Sequence, residues 1–170
     1  IMSRSKKLIV TALFLIGACI LLYPAVSNKL AERHQAEMIS RYEQTVEELP
    51  KTDMKSEWEK AVKYNESVTG MSVEDPFILG SGSVLPGNYK DVLNVEEKEG
   101  VMGYIEIPAI DVMLPIYHGV SERVLRRGVG HMETTALPIG GKGTHSVLAS
   151  HRGLSTAKLF TDCLLYTSPS

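Results

Sequence analysis

A mainly β domain, standing behind one membrane-spanning helix and two further N-terminal helices, is the fold class this sequence predicts. Three observations carry it: an uncharged apolar run near the N-terminus, helical periodicity from there to Gly70, and short alternating runs between glycine and proline turns from Val101 onward. A length of 170 residues allows one domain with accessory segments. A net charge of −2, without a basic patch or stripe, gives no reason to expect a nucleic-acid partner.

Residues 1–7 read as a cytoplasmic N-terminus and 8–26 as the anchor. Leu8 to Tyr23 is a run of 16 residues without a charge, reaching 19 at Val26. At about 1.5 Å per residue it spans most of a ~30 Å hydrocarbon core. Arg4, Lys6 and Lys7 precede it, while Lys29, Arg33 and Arg41 are diluted by Glu32 and Glu37. That bias favours a single pass with the domain outside the cell membrane. A cleaved signal peptide is the alternative, with Ala25-Val26-Ser27 as a poor cleavage site; the run is long for a signal segment. A buried helix of a soluble protein fits less well, because the run lacks a polar face.

Residues 27–70 form the helical membrane-proximal region. Leu30, Met38, Ile39, Tyr42, Val46 and Leu49 recur at helical spacing and Pro50 closes the helix. Thr52 or Asp53 caps a second helix carrying Met54, Trp58, Ala61 and Val62, with Gly70 as its stop. Tyr42 and Trp58 imply packing against the next domain, since a solvated stalk has little use for them. Residues 71–100, broken by Gly80, Gly82, Pro86, Gly87 and Gly100, read as a loop. Its length is uncommon in a compact domain, and such loops are usually functional or disordered. Asp75-Pro76-Phe77 sits within it, a rigid turn offering a carboxylate and an aromatic ring.

In residues 101–162, Tyr104 to Ile107 alternates as a strand ended by Pro108, and Val112 to Tyr117 is a second strand in which Pro115 implies an edge or a bulge. Ser121 to Arg127 makes one or two helical turns, and Val147 to Ser150 is a further strand. Gly140-Gly141-Lys142-Gly143 is a turn without phosphate-loop spacing. That last strand delivers His151 to a His-Arg-Gly turn. A strand end holds an imidazole rigidly at a cleft, and histidine is suited to proton transfer near neutral pH. His145 precedes it by six residues, which is not a metal-ligand spacing, and reads as a structural strand residue. His131 reads as packing or hydrogen-bonding on another strand, and His118 as structural. Cys19 lies in the apolar run and cannot pair with Cys163, and there is no CxxC pattern. Neither a metal nor a cofactor is expected.

Gly103-Tyr104-Ile105-Glu106-Ile107-Pro108-Ala109-Ile110-Asp111, Leu114-Pro115-Ile116-Tyr117-His118-Gly119, Gly128-Val129-Gly130-His131-Met132, Leu137-Pro138-Ile139-Gly140-Gly141 and Ser150-His151-Arg152-Gly153 follow one another in an order and spacing that resembles the sortase family. The resemblance is to its class C, pilin-polymerising members in Gram-positive bacteria, over about residues 70 to 162. It implies an eight-stranded β-barrel, of which this chain carries the first part. It also implies a cysteine transpeptidase: a thiolate attacks a backbone carbonyl of an LPxTG-like sorting signal, a histidine protonates the departing amine, an arginine steadies the oxyanion, and a pilin lysine resolves the thioester. His151 matches the catalytic histidine, and Asp75 and Phe77 match a mobile lid over the groove.

The family's Thr-Leu-x-Thr-Cys nucleophile segment and its later arginine have no match here, which makes the chain an inactive N-terminal fragment on this reading. Cys163, twelve residues after His151, lacks that motif, and Arg152 belongs to the His-Arg-Gly turn. Residues 163–170 depart from the family and read as a non-native tail. Open edges imply that residues 101–170 do not fold alone. Two rivals stand beside this reading: a sortase that anchors proteins to the cell wall, against which Asp75-Pro76-Phe77 and the long helical region argue, and a catalytically inactive membrane-tethered β-domain that only binds partners.

Overall fold

The computed structural model describes residues 4–68, 88–95, 100–161 and 163. Helix α1, Arg4–Glu48, is one unbroken element of 45 residues, so the apolar run and the amphipathic stretch after it are continuous rather than separate. Pro24 lies inside it. A proline there removes one intrahelical hydrogen bond and crowds the carbonyl four residues back, which kinks a helix without ending it when the flanks are strongly helical. The apolar half packs against none of the other described residues: Leu13 is 64%, Phe14 73% and Leu21 78% exposed.

Helix α2, Lys51–Val68, starts directly after Pro50. The amides of Asp53 and Met54 donate to the Pro50 carbonyl at 2.9 and 3.1 Å, so Pro50 holds the position expected for Thr52 or Asp53. Its fixed φ is already helical, which moves the start forward. The expected stop at Gly70 lies outside the described residues. Tyr42 packs as expected, its hydroxyl donating to the Met102 carbonyl at 3.2 Å. Trp58 does not: it is 52% exposed, on the rim of an apolar groove.

Among the described residues the sheet has four strands in the order β1 (Val101–Ile107), β2 (Val112–His118), β3 (Val129–His131) and β4 (Leu148–Ala149). β1 and β2 are antiparallel, β2 and β3 parallel, β3 and β4 antiparallel. It is a mixed, open sheet. A mainly β chain is therefore not what is observed: helices of 45 and 18 residues outweigh strands of 7, 7, 3 and 2. The sequence pattern of 101–162 is β, but those strands are short and the two N-terminal helices are long.

Between β2 and β3 runs the short helix α3, Glu122–Leu125, capped by the Ser121 hydroxyl, which accepts from the Val124 amide at 3.4 Å. So tight a parallel crossover needs close backbone approach. A Cβ on Gly128 would stand 2.7 Å from the Pro115 carbonyl oxygen, and one on Gly130 would collide with the Gly119 carbonyl. Helix α2 is fixed to this layer by polar contacts as well as apolar ones. The Asn65 side chain donates to the Leu137 carbonyl at 3.2 Å and accepts the Leu137 amide at 2.7 Å. The Tyr64 hydroxyl donates to the Glu133 carbonyl at 2.5 Å. Around them Ala61, Val92, Met102, Ile116, Val129 and Leu137 form the main core.

Candidate active site

His151 directly follows Ser150 at the end of β4, as the pattern of 147–151 implies. Two contacts hold the backbone there. The Ser150 hydroxyl donates to the Gly128 carbonyl at 2.7 Å, fastening the strand end to the start of β3. The Phe160 amide donates to the His151 carbonyl at 3.2 Å, after the chain turns through a bridge between Leu154 and Ala157. The imidazole is 30% exposed. Its Nε2 is shielded from solvent, makes no hydrogen bond, and lies 3.5 Å from Glu122 Oε2. Glu122 also accepts from Arg126 Nε at 2.8 Å on the same helix. A ring so placed has a carboxylate at one nitrogen and solvent at its edge, which is a usable arrangement for moving a proton.

The other histidines divide clearly. His145 is exposed and precedes β4, and its carbonyl accepts the Ala136 amide at 3.0 Å. The regular strand is too short to put it on a common face with His151, so a structural strand role does not hold for its side chain. His118 bridges two carbonyls, Gly100 at Nδ1 (3.1 Å) and Val92 at Nε2 (2.8 Å), which ties the entry of β1 to the segment before it.

His131 is fully buried. Its Nε2 faces the Ala136 carbonyl at 2.9 Å, which can only accept, so that nitrogen carries the proton. Nδ1 then accepts from the Tyr89 hydroxyl at 3.0 Å. The same hydroxyl accepts the Gly119 amide at 3.0 Å. Burial is the main cause that takes the His131 pKa down to about 4; the bond to Ala136 opposes it, and the nearby His118 adds a smaller lowering. It is a neutral structural histidine. Burial likewise raises the Tyr89 hydroxyl well above its ordinary range.

Tyr89 and Glu122 are the two site-shaping residues that sequence reasoning missed. Glu122 follows a capping serine, but nothing local shows that it meets His151 across the crossover. Asp75 and Phe77 lie outside the described residues. Cys163 and Arg152 are both exposed. Among the described residues no cluster of three or more histidine, cysteine or acidic side chains is placed to hold a metal ion. An apolar groove of about 560 Å³ runs between α1, α2 and the sheet, lined by Tyr42, Trp58, Ile105, Ile116 and Leu148 among others; His151 is not part of it.

Residues 105–163, which contain β2 to β4 and His151, match the sortase domain family. The chain belongs to the sortase family. Its relatives of known structure place it with the C-type sortases. Sortase C1 of Streptococcus agalactiae is 36% identical with a TM-score of 0.62, over 75% of this chain and 63% of that one. Sortase C of Streptococcus pneumoniae is 38% identical with a TM-score of 0.62, over 75% and 61%. A lid mutant of the Streptococcus agalactiae enzyme is 36% identical with a TM-score of 0.58, over 74% and 61%. The chain thus spans less than two thirds of the length of these relatives. No curated protein sequence matches it significantly.

Proposed function

We propose that this chain is the N-terminal part of a membrane-anchored class C sortase, a cysteine transpeptidase of the outer cell surface that cleaves an LPxTG-like sorting signal and joins pilin subunits through a lysine. The observation that carries the reading is the His151 imidazole, half-buried at the end of β4 with an unbonded Nε2, inside the segment that matches the family. The pneumococcal relative, whose structure bears on catalysis and pilin substrate specificity, supports the choice of substrate class.

In this reading His151 donates the proton that the departing amine takes as the acyl-enzyme forms. Glu122 at Nε2 steadies the ring. The nucleophile is a cysteine in a Thr-Leu-x-Thr-Cys segment of the longer enzyme, with an arginine beyond it; Cys163 and Arg152 take neither role, and residues 163–170 are foreign to the domain. Asp75 and Phe77 belong to a lid, by analogy with the relative crystallised as a lid mutant. The uncovered half of α1 is the anchor, and the open sheet is the first part of a closing barrel.

The test is polymerisation by the full-length enzyme with its pilin, followed as a covalent ladder on denaturing gels. His151→Ala is expected to abolish the ladder while leaving the enzyme folded. Ladder formation at the wild-type rate by that variant would sink the assignment.

A further inference from the structure

Three contacts fix how α1 lies along the sheet. Nearest its apolar run, Asn28, Ala31 and Glu32 border a cavity of about 150 Å³ that Asp111, Met113 and Lys158 close from the other side. Further along, Met38 packs with Val101 and Tyr117. Further still, Tyr42 bonds to Met102. β1 and β2 are antiparallel neighbours. This order therefore aims the turn between them, Pro108–Asp111, at the apolar end of the helix.

The apolar run ends at Val26 and the helix continues without a break. At about 1.5 Å per residue, Asn28 stands about 3 Å beyond Val26 and Ala31 about 8 Å beyond it. The headgroup layer on each side of a bilayer is about 5–8 Å thick. Asn28 to Ala31 therefore occupy that layer when the run spans the bilayer, and so does whatever packs beside them. Pro24 lies before this point, so a kink there tilts the membrane half and leaves the register of Asn28 to Tyr42 on the sheet unchanged.

The surface presented at that level suits an interface of lipid and water. Pro108, Ala109 and Asp111 are exposed, and Met113 is 47% exposed. Lys158 stands beside them at the cavity. Asp111 takes a left-handed conformation, φ 51°, which makes the tip a tight turn rather than a trailing loop.

We infer that the β1–β2 turn together with Met113 rests on the phospholipid surface beside α1, so that the domain has two points of membrane contact and one height. This rests on α1 being the anchor. The test uses the full chain with Cys19→Ser and Cys163→Ser, reconstituted in vesicles of phosphatidylcholine and phosphatidylglycerol doped with a nickel-chelating lipid. Single nitroxide labels are placed by Ala109→Cys and Met113→Cys, with Leu15→Cys and Lys55→Cys as references for the bilayer interior and the far end of the domain. Headgroup nickel is expected to relax the labels at 109 and 113 about threefold or more faster than the label at 55. Equal relaxation at 109, 113 and 55, with the Leu15 label protected from a water-soluble chelate, overturns the inference and leaves the anchor standing. A Leu15 label open to that chelate overturns both.

Discussion

The buried histidine of β3 makes a strong prediction about acid stability. His131 has its folded pKa depressed to about 4 from an ordinary 6.5. Between those values the unfolded chain binds a proton that the folded chain refuses, so stability rises with pH across that window. The contribution is complete above about pH 6.5 and is lost as pH falls toward 4. At about 1.4 kcal/mol per unit, the loss comes to about 3 kcal/mol, a large part of the stability of a small domain. The perturbation that isolates it is His131→Gln, which keeps a donor for the Ala136 carbonyl but does not titrate. Urea unfolding of the full chain in lipid nanodiscs, from pH 7 to pH 4, gives the assay. The variant is less stable at pH 7 through loss of the Tyr89 bond. Its disadvantage should then shrink by about 3 kcal/mol on reaching pH 4. A gap between the two proteins that stays constant with pH would refute the reasoning, as would a His131 ring resonance that titrates near 6.5 in the folded protein.

Asn65→Ala leaves the buried amide and carbonyl of Leu137 without these partners, and should cost about 2–5 kcal/mol in the same unfolding assay. Gly130→Ala drives a methyl group into the Gly119 carbonyl; it should destabilise by at least about 2 kcal/mol and remove slow amide exchange from β3. His151→Ala, by contrast, should shift the unfolding midpoint by no more than about 0.5 kcal/mol, because its ring is partly exposed and its Nε2 makes no hydrogen bond. A large loss of stability there would make His151 a structural residue.

Local pattern made some elements readable and hid others. Alternation in Tyr104 to Ile107 and the apolar spacing of Leu30 to Leu49 report their own elements, because each element's burial repeats at its own period. The length of α1 was not readable: the apolar run and the amphipathic stretch after Val26 differ in pattern and read as separate segments, yet one helix runs through both and past Pro24, because the cost of one lost hydrogen bond does not end a helix with strong flanks. Trp58 looks like core and is exposed, since composition names an apolar residue without naming its partner. At the site, His151 was legible because a strand end and a turn are local features. Glu122 was not, since its approach depends on a parallel crossover with two glycines at its contact points. Tyr89 follows a glycine-rich stretch of sequence that gives no hint that its hydroxyl serves a histidine 42 residues away.

The fastening of α2 to the sheet also has a consequence in time. Asn65 meets a backbone partner 72 residues later in the chain. At about 5–20 residues per second, a ribosome needs roughly 4 to 14 s to supply it. Through that interval the first helix has long since emerged, while the inward face of α2, with Ala61, Tyr64 and Val68, lacks Leu137 and part of the core that covers it. Newly made chain is therefore sticky at a defined place and for a defined period. A chaperone that binds this face while the chain is being made matches the order in which its parts arrive.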